Sequence, residues 1–239
     1  MKDDTIESIF AKYGTDKGPD RHNYCRQYTP LLERYRDRPI NLLEIGVSGG
    51  GSLRAWCDIF PNAQHIIGID NMHDPRVDDI RDSDSVYGNV TYLLGDGTDR
   101  SLLDDIILNY GPFDIISDDA SHKNDSVIQS FEHLFPTGLK DGGMYIVEDT
   151  SVWNSDDFQN RQQLNQLEYF WGLTKLLNIS MQDGINNIPD NDPWYKWISD
   201  PFKIEKKTHD KIEQCIDRIE FGCGYIAAFK ETRYHWIPN

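Results

Sequence analysis

Between residues 40 and 150 the chain alternates short apolar runs with longer amphipathic segments, and glycine-rich or acidic turns separate them. Residues 40–47, 65–70, 90–94, 113–117 and 144–147 each read as a buried strand, a brief, mostly apolar run bounded by turn signals. Residues 53–60, 100–109 and 124–135 carry apolar side chains at helical spacing between those strands. Such alternation predicts an α/β fold, a doubly wound sheet with helices on its faces. The run 72–88 is acidic and irregular, and reads as a surface loop or a short helix. Asp99 stands where the N-cap of the helix at 100–109 is needed, a position that favours aspartate.

The flanks read differently. Residues 5–12 form a short helix with Ile6, Ile9 and Phe10 on one face. Residues 12–18, polar and glycine-rich, read as a turn, and Thr29-Pro30 opens a second helix that ends near Tyr35. In the last third, 156–179 is helical, with Leu164, Leu167, Phe170, Trp171, Thr174 and Leu177 along one face, which is most simply core packing. Residues 180–201 are loop-like and hold Trp194, Tyr195 and Trp197, aromatics that suit either an acceptor pocket or the pinning of a long loop. Residues 203–214 allow a helix, and 216–221 with 224–230 read as a β-hairpin. The whole, 1–239, is read as one domain: a cover at 1–39, a cofactor and metal core at 40–150, an acceptor-side helix and loop at 151–215, and the terminal hairpin at 216–231.

Length and charge narrow the function classes. A chain of 239 residues is ample for one large α/β domain. Its 24 basic against 40 acidic residues give a net charge of −16. That balance argues against nucleic acid or an anionic membrane as partner. No apolar run is long enough for a transmembrane helix, and the first residues lack the apolar core of a signal peptide. Cys25, Cys57, Cys215 and Cys223 show no zinc-type spacing, so a reduced, cytoplasmic setting is expected.

Candidate chemistry gathers at the carboxyl ends of the predicted strands, where open α/β sheets bind their ligands. Ser48-Gly49-Gly50-Gly51-Ser52 follows the first strand and opens a helix, a place where backbone N–H groups approach a ligand. The spacing is not GxGxxG, and no P-loop lysine follows. Asp70 ends the second strand 24 residues after Gly46, near the ~20-residue offset at which an acid binds a ribose diol. Asp96 ends the third strand, within reach of an adenine amine. Two further strands run into Asp118-Asp119-Ala120-Ser121-His122 and Glu148-Asp149-Thr150. Of the paired aspartates Asp118 has the weaker claim, because adjacent strand residues point opposite ways. Carboxylates from Asp119, Glu148 and Asp149 in one crevice would repel and would be costly to desolvate. A hard divalent cation with oxygen ligands removes that cost. His122 is three residues beyond Asp119, so the first reading is a Mg²⁺-type site with a histidine base beside it. His133, inside a helix, reads as a packed or surface histidine.

At these residues the chain resembles the class I S-adenosylmethionine-dependent methyltransferases. More narrowly, it resembles the metal-dependent sugar O-methyltransferases that act on macrolide glycosides, such as the mycinamicin and macrocin enzymes. The resemblance runs through Tyr13-Gly14-Thr15-Asp16-Lys17, Leu43-Glu44-Ile45-Gly46-Val47, Gly95-Asp96, the Asp118–His122 run and Val147-Glu148-Asp149-Thr150. It covers about residues 12–150, whereas 151–215 do not match well. It implies a seven-stranded Rossmann-like sheet whose last strand is antiparallel. It also implies methionyl contacts from Glu44, Gly46 and Ser52, a ribose contact from Asp70 and an adenine-side contact near Asp96. The metal falls to Asp119, Glu148 and Asp149, and the base to His122. The segment Thr15-Asp16-Lys17 is expected to close over the cofactor.

The activity so implied is Mg²⁺-dependent methyl transfer from S-adenosylmethionine to a sugar hydroxyl of an acceptor carrying a vicinal diol. A catechol-type O-methyltransferase is the chemical neighbour of this reading, since a catechol is also a vicinal diol. A non-catalytic protein that merely binds the cofactor is the alternative from another class, and the base with its carboxylates speaks against it. A nicotinamide oxidoreductase is disfavoured by the missing GxGxxG. Trp153, Trp171 and residues 180–201 suit an interface as readily as a pocket, so a homo-oligomer stays open.

Overall fold

The computed structural model describes residues 4–81, 87–153, 155, 165–179, 211, 212 and 214–231. The expected loop at 180–201, with its three aromatics, lies outside them, as do the start of the helix expected from 156 and most of the one expected at 203–214. The strands are β1 (Asn41–Ile45), β2 (His65–Asp70), β3 (Val90–Leu94), β4 (Phe113–Asp118), β5 (Leu139–Val147), β6 (Ile216–Gly222) and β7 (Tyr225–Lys230). They form a seven-stranded sheet in the order β3-β2-β1-β4-β5-β7-β6. The sheet is mixed, with β7 antiparallel, as expected for the α/β class. The chain divides into two compact units, Met1–Ala120 and Ser121–Asn239.

In the first unit, β1 pairs in parallel with both β2 and β4, and β2 with β3. Every residue of β1 is buried, which explains its nearly continuous apolar sequence: a parallel strand covered on both faces has no solvent side. Helix α1 (Ile6–Tyr13) is capped by the Thr5 hydroxyl, which accepts the Ser8 amide, and it buries Ile6, Ile9 and Phe10 as the pattern required. Phe10 packs edge-on against Trp56 of α3 (Gly51–Ile59), ring centroids 5.3 Å apart. Asp99 caps α5 (Arg100–Tyr110) by accepting the Ser101 and Leu102 amides. Between β2 and β3 there is a short helix, α4 (Asp78–Arg81).

The second predicted helix starts earlier than Thr29-Pro30. Helix α2 (Cys25–Leu32) already encloses Pro30. Cys25, Tyr28 and Leu32 are all buried and share one helical face, so packing outweighs the proline's start signal. Thr29 helps by donating its hydroxyl to the Cys25 carbonyl at 2.8 Å.

In the second unit, β7 lies antiparallel between β5 and β6. Strand β5 begins at Leu139, so the expected turn at Asp141-Gly142-Gly143 is absorbed into it. Gly142 keeps the turn-like backbone there, with φ +76°. The core is aromatic. Phe131 of α6 (Asn124–Thr137) stacks on Phe135 at 4.7 Å and meets Tyr145 of β5 edge-on at 5.2 Å. It also meets Phe170 of α7 (Gln166–Ile179) at 4.7 Å. Lys230 is buried yet satisfied: its ammonium donates to the carbonyls of Pro136 and Leu139, at 2.8 and 2.7 Å. All four cysteines are free thiols. Among the described residues no helix is long and apolar enough to cross a membrane.

Candidate functional site

The first unit supplies a cradle at the carboxyl ends of β1 and β2. The chain leaves β1 through Gly46, whose φ of +90° only glycine adopts easily. A side chain there would stand 2.2 Å from the Asp119 carbonyl oxygen and 2.6 Å from the Ala120 Cα. Glycine is therefore required so that the turn after β4 can approach the turn after β1. The Gly46 amide donates to Ile69 and the Asp119 amide to Ile45, both at 2.8 Å, which pins the two turns in place.

Asp70 is placed at the end of β2 as expected, and it organises the glycine loop. Its Oδ2 accepts the Val47 and Ser48 amides, each at 2.9 Å, and its Oδ1 accepts the Met72 amide at 2.9 Å. A carboxylate offers about four lone-pair directions, so three such bonds leave about one for a ligand hydroxyl. Asp96 is exposed and accepts both the amide and the hydroxyl of Thr98 at 2.8 Å, which shapes the turn beyond β3.

Beneath the glycine loop lies a buried ionic cluster. Glu44 is wholly buried, and its Oε2 accepts the Ser52 hydroxyl at 2.8 Å. The Trp56 indole, also buried, is a second side-chain donor to this carboxylate. Burial pushes the Glu44 carboxyl up to about 7, and the Asp119 charge adds to this, while the Lys17 ammonium and the Ser52 hydroxyl oppose it. Lys17, only 1% exposed, donates to Asp119 Oδ2 at 2.6 Å and stands 3.7 Å from Glu44 Oε1. Its backbone is held as well, since its carbonyl accepts the Cys25 amide at 3.0 Å. The sequence placed Lys17 in a segment expected to close over a ligand and left its side chain without a role. The usable signal was a lysine in a polar glycine-rich stretch of an acidic chain, but nothing local names its partner.

The second unit supplies the proposed base and two of the candidate ligands. His122 and Asp149 both have left-handed backbones, φ 54° and 53°. Such conformations cost ~1–3 kcal/mol each in residues other than glycine and concentrate at functional sites. They bring His122 Nε2 to 3.5 Å from Asp149 Oδ2, each side chain about one-fifth exposed. Asp149 is followed by Thr150, whose amide donates to the Gly224 carbonyl at 3.0 Å, so the β6–β7 turn buttresses this bend. Glu148 is buried, 1% exposed. Asn124, at the start of α6, accepts the Gln166 amide at 2.9 Å and so ties the helix after His122 to the start of α7.

The donors present suit a hard divalent cation. They are carboxylates with one imidazole and no thiolate, the set that favours Mg²⁺ over soft metals. In the first unit, Asp119 is already stabilised by a cationic group, the Lys17 ammonium. In the second, His122 and Asp149 offer one nitrogen and one oxygen donor side by side.

Residues 43–150 match the family described as methyltransferase domain. The chain is 38% identical over 157 residues to mycinamicin VI 2''-O-methyltransferase of Micromonospora griseorubida, covering 62% of this chain and 37% of that protein. It is 32% identical over 189 residues to demethylmacrocin O-methyltransferase of Streptomyces fradiae, covering 74% of this chain and 44% of that protein. The chain thus spans less than half the length of these curated relatives. Among solved structures, MycE methyltransferase from the mycinamycin biosynthetic pathway, in complex with Mg and SAH, superposes with a TM-score of 0.75 at 27% identity. That match covers 98% of this chain and 58% of the other.

Proposed function

We propose, from the premise that this chain carries a methyltransferase domain and is homologous to the mycinamicin and macrocin sugar O-methyltransferases, that it transfers a methyl group from S-adenosylmethionine to a sugar hydroxyl. The observation that carries the reading is the His122–Asp149 pair, held on two left-handed residues beside the two acidic motifs.

The chain's residues divide the work as follows. Asp119, Glu148 and Asp149 would hold Mg²⁺, which when bound supplies a Lewis acid for the hydroxyls of a vicinal diol. His122 takes the proton of the reacting hydroxyl at a ring nitrogen, and the Asp149 carboxylate 3.5 Å from Nε2 orients the ring and stabilises the imidazolium that forms. The glycine loop, through Gly46 and Ser52, receives the methionyl part of the cofactor, and Glu44 supports it from below through Ser52. Asp70 offers its remaining lone pair to a ribose hydroxyl, and Asp96 lies on the adenine side. Methyl transfer is then an in-line displacement whose rate depends on holding donor and acceptor in register. The four free thiols suit a reduced cytoplasm.

The test is a calorimetric titration of S-adenosylhomocysteine with and without Mg²⁺, followed by activity assays on a panel of glycosides and catechols. His122→Ala is expected to keep cofactor affinity and abolish turnover. Asp149→Asn is expected to weaken Mg²⁺ dependence. Full turnover in both variants refutes the assignment. Activity on catechols alone moves the substrate class, and cofactor binding without turnover on any acceptor favours a non-catalytic protein.

A further inference from the structure

The sheet ends at β6, and among the described residues no strand pairs with its outer side. An outermost strand presents a row of backbone donors and acceptors to any chain that can pair with it. Along β6 only Ile216 is buried; Asp217, Arg218 and Phe221 are exposed, and Ile219, Glu220 and Gly222 are half-buried. Charge of one sign keeps such an edge apart from other chains. Here the two charges on one face of the strand are opposite and two residues apart. Arg218 Nε donates to Glu220 Oε1 at 2.7 Å, and the two side chains remain 47% and 37% exposed. The Arg218 guanidinium also lies over the Phe229 ring, 3.8 Å from its centroid, so it is held in place before any partner arrives. The irregularity in the β6–β7 ladder falls between Ile216 and Arg218, which leaves the charged pair on the regular part of the strand.

We propose that β6 is a dimerisation edge: it pairs antiparallel with β6 of a second copy of this chain about Ile219, and the Arg218–Glu220 pairs of the two strands close into a ring of four charges. Two identical strands pair in this way about a two-fold axis perpendicular to the sheet. Residues directly opposite each other share a face, so the axis must pass through a residue and not between two. With the axis at Ile219, Arg218 of each copy faces Glu220 of the other, and both contacts are attractive. An axis at Asp217, Arg218 or Glu220 sets a charge against its own kind, and one at Phe221 sets Glu220 against Gly222. Of these five positions Ile219 alone opposes unlike charges, so the sequence of the edge specifies one register. A guanidinium has five donors and a carboxylate about four acceptor directions, so each group can keep its partner within the strand while bonding across the axis.

The test is sedimentation equilibrium on the whole chain over a concentration series, with melting curves to confirm folding. Wild type is expected to form a dimer whose affinity falls with added salt, because the paired charges are partly exposed. Amide hydrogen exchange within residues 217–221 is expected to slow as concentration rises. Arg218→Glu and Glu220→Arg each set like charges across the axis, and each is expected to weaken the dimer about tenfold or more. An equimolar mixture of these two variants opposes unlike charges again and is expected to recover the dimer, as is the chain carrying both substitutions. If Arg218→Glu does not fold once the stack on Phe229 is lost, Glu220→Arg is compared with Glu220→Gln, and reversal is expected to weaken the dimer more than neutralisation does. A monomeric wild type, a dimer indifferent to both reversals, a mixture that fails to recover it, or slowed exchange confined to residues outside 217–221 overturns the proposal. None of these outcomes depends on the activity proposed above.

Discussion

Replacing Gly46 by alanine should damage the first unit severely, and the structure gives the size of the effect. The new Cβ would lie 2.2 Å from the Asp119 carbonyl oxygen, 2.5 Å from its carbonyl carbon and 2.6 Å from the Ala120 Cα. All three are backbone atoms, so no rotamer change relieves the clash. The backbone cannot drift apart cheaply either, because two hydrogen bonds of 2.8 Å pin the turns. Forcing a side chain onto left-handed backbone costs about 1–2 kcal/mol, and overpacking adds about 1–3 kcal/mol. The sum, about 2–5 kcal/mol, corresponds to a Tm loss of roughly 4–20 °C for a domain of this size. Gly142 provides the control. Its φ is +76°, but a Cβ there meets nothing within 4 Å. Gly142→Ala isolates the backbone contribution and should lose roughly 2–8 °C. Differential scanning calorimetry on both variants measures the difference. Equal melting temperatures would show that the close approach of the two turns is not a real constraint, and the account of the cradle would fall with it.

Asp70→Asn keeps one oxygen for three amides, so at least one of Val47, Ser48 and Met72 loses its acceptor; stability should drop by about 1–3 kcal/mol. Hydrogen exchange at those amides should accelerate at least about tenfold, by the same energy scale, and unchanged protection would contradict the clip. Tyr169→Phe deprives buried Glu132 of a hydroxyl donated at 3.0 Å. A loss of about 1–3 kcal/mol in urea unfolding is expected, and a neutral result would mean the pair is dispensable. Glu44 gives a pH dependence. Its carboxyl is raised to about 7 in the folded chain from 4.5, so the folded state binds a proton that the unfolded state has released. Its contribution to stability is therefore complete below pH 4.5 and is lost as pH rises through about 7. The melting-temperature advantage of wild type over Glu44→Gln should shrink between pH 5 and pH 8, the window set by that shift. A difference that does not vary with pH would refute this.

The sheet was readable because burial on both faces writes itself into composition: the runs that became β1, β2 and β4 are nearly continuous apolar stretches. The Asp99 cap was equally local. Asp119 and Asp149 stood out because acidic residues directly follow two apolar runs, and His122 because it lies three residues beyond Asp119. What stayed hidden depends on distance along the chain or on backbone angle. Lys17 meets a carboxylate 102 positions away, and no pattern within its own segment encodes that. Asp70 was read as a ligand-binding acid, but its three amide partners follow from how the glycine loop folds back, which residue types alone do not specify. The start of α2 was misplaced because a proline signal was weighed above three apolar positions whose burial only packing reveals.

The antiparallel placement of β7 has a consequence for how the chain is made. Ile146 pairs with Ala227 and Met144 with Phe229, about eighty residues further along. A ribosome adding roughly 5–20 residues each second would leave that edge of β5 without its β7 partner for several seconds. During that interval Met144, Tyr145, Ile146 and Val147 present an unpaired apolar edge, the kind that recruits other chains. The first unit draws its four parallel strands from residues before Ala120, so it can form while the second is still emerging. Expression yield should therefore respond more to substitutions in residues 225–230 than to those in 41–45 of equal equilibrium cost, because the former strand decides how long β5 waits.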